Sequence, residues 1–121
     1  MSTTTANLLM RNLHDVFGER DPHRRKAAIE KLFVPHAQFS DPHGRHVGHA
    51  GLDEAVSALQ EQFPDHRFTA LGEVDALADY GRLAWAFGPP DDPQRVTGLD
   101  VAIISDGRIG ALYTFLDTRG A

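Results

Sequence analysis

Val96-Thr97-Gly98-Leu99-Asp100-Val101-Ala102-Ile103-Ile104-Ser105-Asp106-Gly107-Arg108-Ile109-Gly110-Ala111-Leu112-Tyr113-Thr114-Phe115-Leu116 is the stretch that decides the fold. Asp-Gly supplies the two left-handed residues that a tight β-hairpin turn needs. Val96–Ser105 therefore reads as a long strand, and Ile109 to Leu116 as its antiparallel return. Upstream, Gly88-Pro89-Pro90-Asp91-Asp92-Pro93 is a loop that no strand crosses. Before it, Leu83, Trp85 and Phe87 alternate with small residues after a turn at Asp79-Tyr80-Gly81. Phe68 to Leu71 and Val74 to Ala78 read as strand pieces interrupted at Gly72.

The first half has a different period. Leu9, Leu13, Val16 and Phe17 recur at helical spacing. Asp21-Pro22 offers an N-cap and a first-turn proline for a second helix, which buries Ala28, Ile29, Leu32 and Phe33 and ends at Pro35. A third helix, led in by Gly48 to Gly51, carries Leu52, Ala55, Val56, Leu59 and Phe63 on one stripe and stops at Pro64. Three helices followed by an antiparallel sheet make an α+β plan, with a pocket expected where the sheet curls around the helices.

The 121 residues fit one domain, with an ordered core over about 8–117. There is no cysteine, so disulfides and thiol chemistry are excluded. A net charge of −5 argues against nucleic acid as a partner. The basic cluster Arg20, Arg24, Arg25, Lys26 and Lys31 reads as a solvated helix face. Met1 to Asn7 is polar with no basic segment before a long apolar run, so neither a signal peptide nor a membrane span is expected. A soluble, cytoplasmic protein is the expectation.

Two aspartates stand out. Asp100 shares its strand face with Val96, Gly98, Ala102 and Ile104, while Leu99, Val101 and Ile103 occupy the other face. A carboxyl in a strand apolar on both faces is buried, and burial either demands partners or keeps the proton on. It reads either as a protonated donor to a ligand oxygen or as a structural group tied to backbone amides or to Arg82. Asp41 follows Ala37 and Phe39 on one face of a short strand and opens the turn Asp41-Pro42-His43-Gly44. It reads either as a general base at a pocket mouth or as an ordinary turn aspartate.

His43, His46 and His49 stand three apart, but Gly44 and Gly48 place them on a loop, which fits a solvated loop better than a metal site. His43 and His46 are candidate residues at the pocket mouth. His14, His23, His36 and His66 read as surface residues. Phe87 is assigned to plain core and Trp85 to the pocket wall. Ser57 and Ser105 have no base beside them, and no P-loop or dinucleotide motif is present.

The segment Leu32-Phe33 through Phe39-Ser40-Asp41-Pro42-His43-Gly44 is similar to the stretch of Δ5-3-ketosteroid isomerases that ends in their catalytic Asp-Pro-x-Gly. Gly98-Leu99-Asp100 with Gly107-Arg108-Ile109 resembles the strand that carries their second aspartate. From about Leu8 to Asp117 the chain thus resembles the nuclear transport factor 2-like (cystatin-like) superfamily, in its ketosteroid isomerase and SnoaL-like cyclase branch. The resemblance implies a cone-shaped, strongly curved antiparallel sheet around three N-terminal helices, usually dimeric through the sheet. It implies a small hydrophobic ligand and no cofactor or metal. It makes Asp41 the base beside a carbonyl and Asp100 the protonated oxyanion-hole carboxyl. The family's oxyanion-hole tyrosine falls on Phe17, which cannot donate, and the loss of one such donor costs ~10²–10³ in rate. Tyr113 or Tyr80 would replace it only with a differently seated substrate. Limonene epoxide hydrolases need an Asp-Arg-Asp set, and the Leu83–Phe87 strand has no Arg-x-Asp. The expectation is an isomerase, cyclase or dehydratase, with a non-catalytic binding or dimerisation module as the alternative.

Overall fold

The computed structural model describes residues 4–117. The Thr4 hydroxyl accepts from the Asn7 amide at the start of α1 (Thr5–Arg11), which continues into a π-helical segment, Asn12–Phe17. The buried residues Leu8 and Leu9, Asn12 and Leu13, and Val16 and Phe17 repeat every four positions. Ordinary α-helical winding at 3.6 residues per turn would rotate such a repeat off one face, and the wider i→i+5 turn keeps it inward. The Gly18 amide donates to the Leu13 carbonyl, which closes that wide turn.

Asp21 caps α2 (Pro22–Leu32) through the His23 amide, as the Asp-Pro pair predicts. The helix ends three residues before Pro35. Phe33 already belongs to β1 (Phe33–Asp41), and the proline lies where the strand's register shifts. The segment read as a loop after Asp41 is in part a short strand, β2 (Gly44–Val47), which places His46 opposite Phe39. Helix α3 (Gly48–Gln62) begins at the glycine that leads into it. There follow β3 (Arg67–Ala70), β4 (Asp75–Leu77), β5 (Tyr80–Gly88), β6 (Val96–Ser105) and β7 (Arg108–Leu116). The turn before β5 is Ala78-Asp79, with Tyr80 already paired to Leu77, rather than Asp79-Tyr80-Gly81.

Among the described residues the strands form one sheet in the order β2-β1-β7-β6-β5-β3, with β4 beside β5. The curved α+β architecture is the one expected. The sheet is mixed, because β1 lies parallel to β7 while the other pairs are antiparallel. Asp106 and Gly107 both have positive φ in the β6–β7 turn, as read from the dipeptide.

Register then departs from a simple hairpin. Ser105 pairs with Arg108 and Ile104 with Ile109, but Ile103 pairs with Ala111, so Gly110 is an extra residue in β7. A one-residue bulge bends the strand and turns every later side chain to the opposite face. Uninterrupted, the hairpin would set Tyr113 opposite Asp100; with the bulge, Thr114 stands there instead.

The inner sheet face and the helices enclose the core, in which Phe33, Leu83, Ile109 and Leu112 are fully buried. The outer face of β6 is only half-buried at Leu99, Val101 and Ile103, so nothing among the described residues covers it fully. Two surface assignments change. Arg25 is buried, pairing with Asp53 at 2.7 Å and donating to Ser57 Oγ and Gln60 Oε1. His66 is buried between the Phe63 and Phe87 rings and pairs with Asp65. For Arg25 the partners satisfy every donor nitrogen that burial would otherwise leave facing carbon, and for His66 the Asp65 carboxylate meets Nδ1.

Candidate functional site

The inner face of the sheet does not meet the helices everywhere. A cavity of about 200 Å³ remains between β5, β6 and β7 on one side and the π-helical segment and α3 on the other. Leu13 and Phe17 come from the π-helical segment, Leu59 and Phe63 from α3 and its end, and Phe68 from β3. The sheet supplies Trp85, Phe87, Val96, Asp100, Thr114 and Leu116, and the turn after β1 supplies Asp41, Pro42 and His43. The wall is an aromatic cluster: Phe68 lies 4.2 Å from Phe87 and 5.5 Å from Trp85 between ring centres, and edge-on to Phe17 at 5.9 Å. Phe87, assigned to plain core, is buried and also forms part of this wall.

Asp100 is 5% exposed in the cavity floor. Neither backbone amides nor Arg82 hold it; Arg82 lies at the surface, bonded to Asp75. Trp85 Nε1 donates to Asp100 Oδ1 at 3.0 Å, and Thr114 Oγ1 donates to the same oxygen at 2.7 Å. Both donors converge on Oδ1, which leaves Oδ2 to the cavity. Burial raises the carboxyl from its ordinary value to about 6, against the two hydrogen bonds, which favour the charged form. At that value about a tenth of the ligand-free protein carries the proton at pH 7, and Oδ2, to which no side chain among the described residues donates, is the oxygen free to hold it.

The Trp85 bond depends on a glycine. Trp85 pairs with Gly98 across the strands, two residues before Asp100. A Cβ at Gly98 would overlap the Trp85 ring and the Phe115 carbonyl, so the bare backbone is what lets the indole lie across β6 and reach the next inward residue. Gly98→Ala is expected to cost about 1–3 kcal/mol in urea unfolding by forcing the ring aside. Thr114→Val removes a donor to the ionised carboxylate, a bond worth about 1.5–3 kcal/mol, so the Asp100 midpoint is expected to rise by about one pH unit or more. The fluorescence of Trp85, the sole tryptophan, reports that midpoint, and Asp100→Asn removes it.

Asp41 sits at the mouth, its side chain 21% exposed. Its Oδ1 accepts from the His43 and Gly44 amides at 2.9 and 3.1 Å, so it closes the turn as an Asx residue and faces the cavity at the same time. Oδ2 is 3.8 Å from His43 Nδ1, and the His43 ring is exposed.

Of the residues singled out in the sequence, Asp41, Asp100, Phe17, Trp85 and His43 gather around this cavity. His46 does not; it stacks on Phe39 at 5.7 Å. Tyr113 does not either, because the Gly110 bulge turns it to the outer face, beside a shallow groove. Tyr80 is exposed, so among the described residues no tyrosine lines the cavity. His49 Nε2 meets the Phe33 and Val34 carbonyls, and no three metal-ligating side chains assemble among the described residues. Thr114 went unnoticed in the sequence; only the bulged register pairs it with Asp100. Leu13, Leu59 and Phe63 carried a signal, since they lie on apolar helix stripes, but a stripe does not tell a pocket wall from packed core.

The model of the SnoaL-like domain family matches residues 10–111. No curated protein sequence matches the chain. Among solved structures, an isomerase candidate of the SnoaL-like family from Agrobacterium tumefaciens is 26% identical, with a TM-score of 0.85 over 91% of this chain and 94% of its own. A ketosteroid isomerase candidate from Kribbella flavida is 17% identical, with a TM-score of 0.71 over 93% of this chain and 77% of its own. A polyketide cyclase candidate from Sinorhizobium meliloti is 18% identical, with a TM-score of 0.70 over 88% of this chain and 92% of its own.

Proposed function

Given that the chain belongs to the SnoaL-like domain family, we propose that it is an enzyme that moves a proton at a carbon next to a carbonyl, on a hydrophobic substrate and without a cofactor. The observation that carries this reading is two carboxyl groups opening on one apolar cavity, one buried with a raised pKa and one at the mouth. Groups whose environments differ in this way divide into acid and base. Ionised Asp41 takes the proton from the carbon, the C–H electrons form the enolate double bond, and charge collects on the carbonyl oxygen. The Asp100 Oδ2–H donates to that oxygen. Return of the proton from Asp41 to another carbon gives an isomer; attack of the enolate on a second carbonyl, whose oxygen takes that proton, gives a ring; and loss of a β-hydroxyl, which leaves as water with that proton, gives a dehydrated product.

The test is exchange of α-protons in D2O, followed by NMR, with cyclic ketones of one, two and four rings. Exchange into at least one of them that disappears with Asp41→Asn supports the reading; no exchange into any of them defeats it. Because the donor must be protonated, kcat/KM is expected to fall about tenfold per pH unit above pH 6.

Phe17 favours a second reading. With no tyrosine at the cavity, one hydrogen-bond donor of the isomerase pattern is missing, which suits a binding module that keeps the pocket and has lost the chemistry. Ligand binding without exchange would select it.

We propose further a cytoplasmic homodimer joined through the outer sheet face, where Leu99, Val101, Ile103 and Tyr113 are half-buried and Phe115 is 57% exposed. Contiguous apolar surface of this kind marks an interface. Sedimentation is expected to give a dimer for the native chain and a monomer for Phe115→Asp; a native monomer at micromolar concentration refutes the assembly.

A further inference from the structure

The cavity restricts its ligand in size, shape and charge. An apolar cavity of about 150 Å³ takes up benzene, and this one measures about 200 Å³, room for one substituted ring or two fused rings. Pockets for larger, drug-sized molecules run from about 300 Å³ upward. The walls add shape. Phe17, Phe63, Phe68, Trp85 and Phe87 present ring faces and edges, against which a flat molecule packs best. The charge is one-sided, since the titratable lining groups are Asp41, His43 and Asp100, and no arginine or lysine among the described residues reaches the cavity. A carboxylate or phosphate on the ligand would lie beside two carboxyl groups with no arginine or lysine to balance it.

We propose that the substrate is an uncharged, flat molecule of one or two rings bearing a single buried carbonyl, seated with its oxygen at Asp100 and its reacting carbon toward Asp41. This rests on the proton-transfer reading above and specifies its substrate class. An organic amine is the main competitor, because aromatic faces and carboxylates also suit a cation. The cavity nevertheless buries Asp100 among carbon, and a cation seated there would give up its own hydration as well. A neutral carbonyl needs only the one donor that Oδ2 provides.

Quenching of Trp85 fluorescence tests the proposal with 2-naphthol, which has the shape of a two-ring enol. The comparison ligands are 2-naphthoate, 2-naphthylmethylamine and a four-ring phenolic steroid. The expected order is 2-naphthol binding at least tenfold more tightly than each of the others, and roughly tenfold more weakly to Asp100→Asn. A steroid phenol bound as tightly as 2-naphthol overturns the size limit, and the naphthoate or the amine bound as tightly overturns the charge assignment. Failure of 2-naphthol to bind overturns the proposal outright. The ketone exchange separates the two levels. Exchange into the four-ring ketone as fast as into the two-ring one removes this substrate class and leaves proton transfer standing, whereas no exchange at all removes both. Phe63→Ala, which opens the wall, is expected to admit the steroid phenol. Leu59→Ala makes the same test if the first variant folds poorly.

Discussion

Asp41→Asn is expected to lower α-proton exchange by about 10²–10⁴-fold, the range that a positioned general base supplies, while thermal unfolding at pH 7 stays within about 2 °C of the native chain. The separation of the two effects comes from the geometry of the turn. Oδ1 of Asp41 holds the His43 and Gly44 amides, and an asparagine oxygen accepts the same two bonds. Only Oδ2 is exchanged for an amide nitrogen, which cannot take a proton. Loss of exchange with an unchanged melting curve therefore isolates the base from the turn. An unchanged exchange rate removes Asp41 from the mechanism, and a large fall in melting temperature shows that its weight is structural.

Asp100→Asn is expected to act on stability, with a pH dependence of definite sign. The carboxyl is raised from 3.8 to about 6 in the folded chain, so the folded protein holds a proton that the unfolded chain releases. Its contribution is fully present below about pH 4 and is lost as pH rises through about 6, for a total of about 3 kcal/mol. Asparagine stays neutral throughout and keeps an oxygen for the Trp85 and Thr114 donors. The variant should therefore match the native chain near pH 4 and exceed it at pH 8 by up to about 3 kcal/mol, on the order of 10 °C in melting temperature. Urea unfolding at the two pH values measures the difference directly. A constant difference across pH shows that Asp100 does not titrate where its burial places it, and a variant less stable at pH 8 shows that the ionised carboxylate is itself a stabilising group.

How much of this was legible in the sequence differs from element to element. The β6–β7 hairpin was legible because a two-residue Asp-Gly turn is a local event, fixed by backbone conformations that few residues adopt. The burial of Asp100 was legible because alternation along one strand places a side chain on a face without reference to any other element. The first turn of α2 followed in the same way from Asp21-Pro22. Arg25 and His66 were misread for the opposite reason. Residue type places an arginine at the surface and leaves a histidine undecided, but Asp53, Ser57 and Gln60, which satisfy Arg25, lie about thirty residues away on another helix, and the Phe87 ring against His66 comes from β5.

By itself, then, the sequence determined most of the element types, the α+β plan and an inward-facing carboxyl on a central strand, all of which depend on period and local backbone preference. Tertiary structure alone decided which side chains meet that carboxyl and whether they meet around a space. The single extra residue at Gly110 exchanges Tyr113 for Thr114 opposite Asp100, because one step of register reverses a strand's two faces. The cavity itself is volume left between a bent sheet and helices far apart along the chain. No local pattern encodes such a gap, since a side chain lining it and one packed in the core obey the same periodicity.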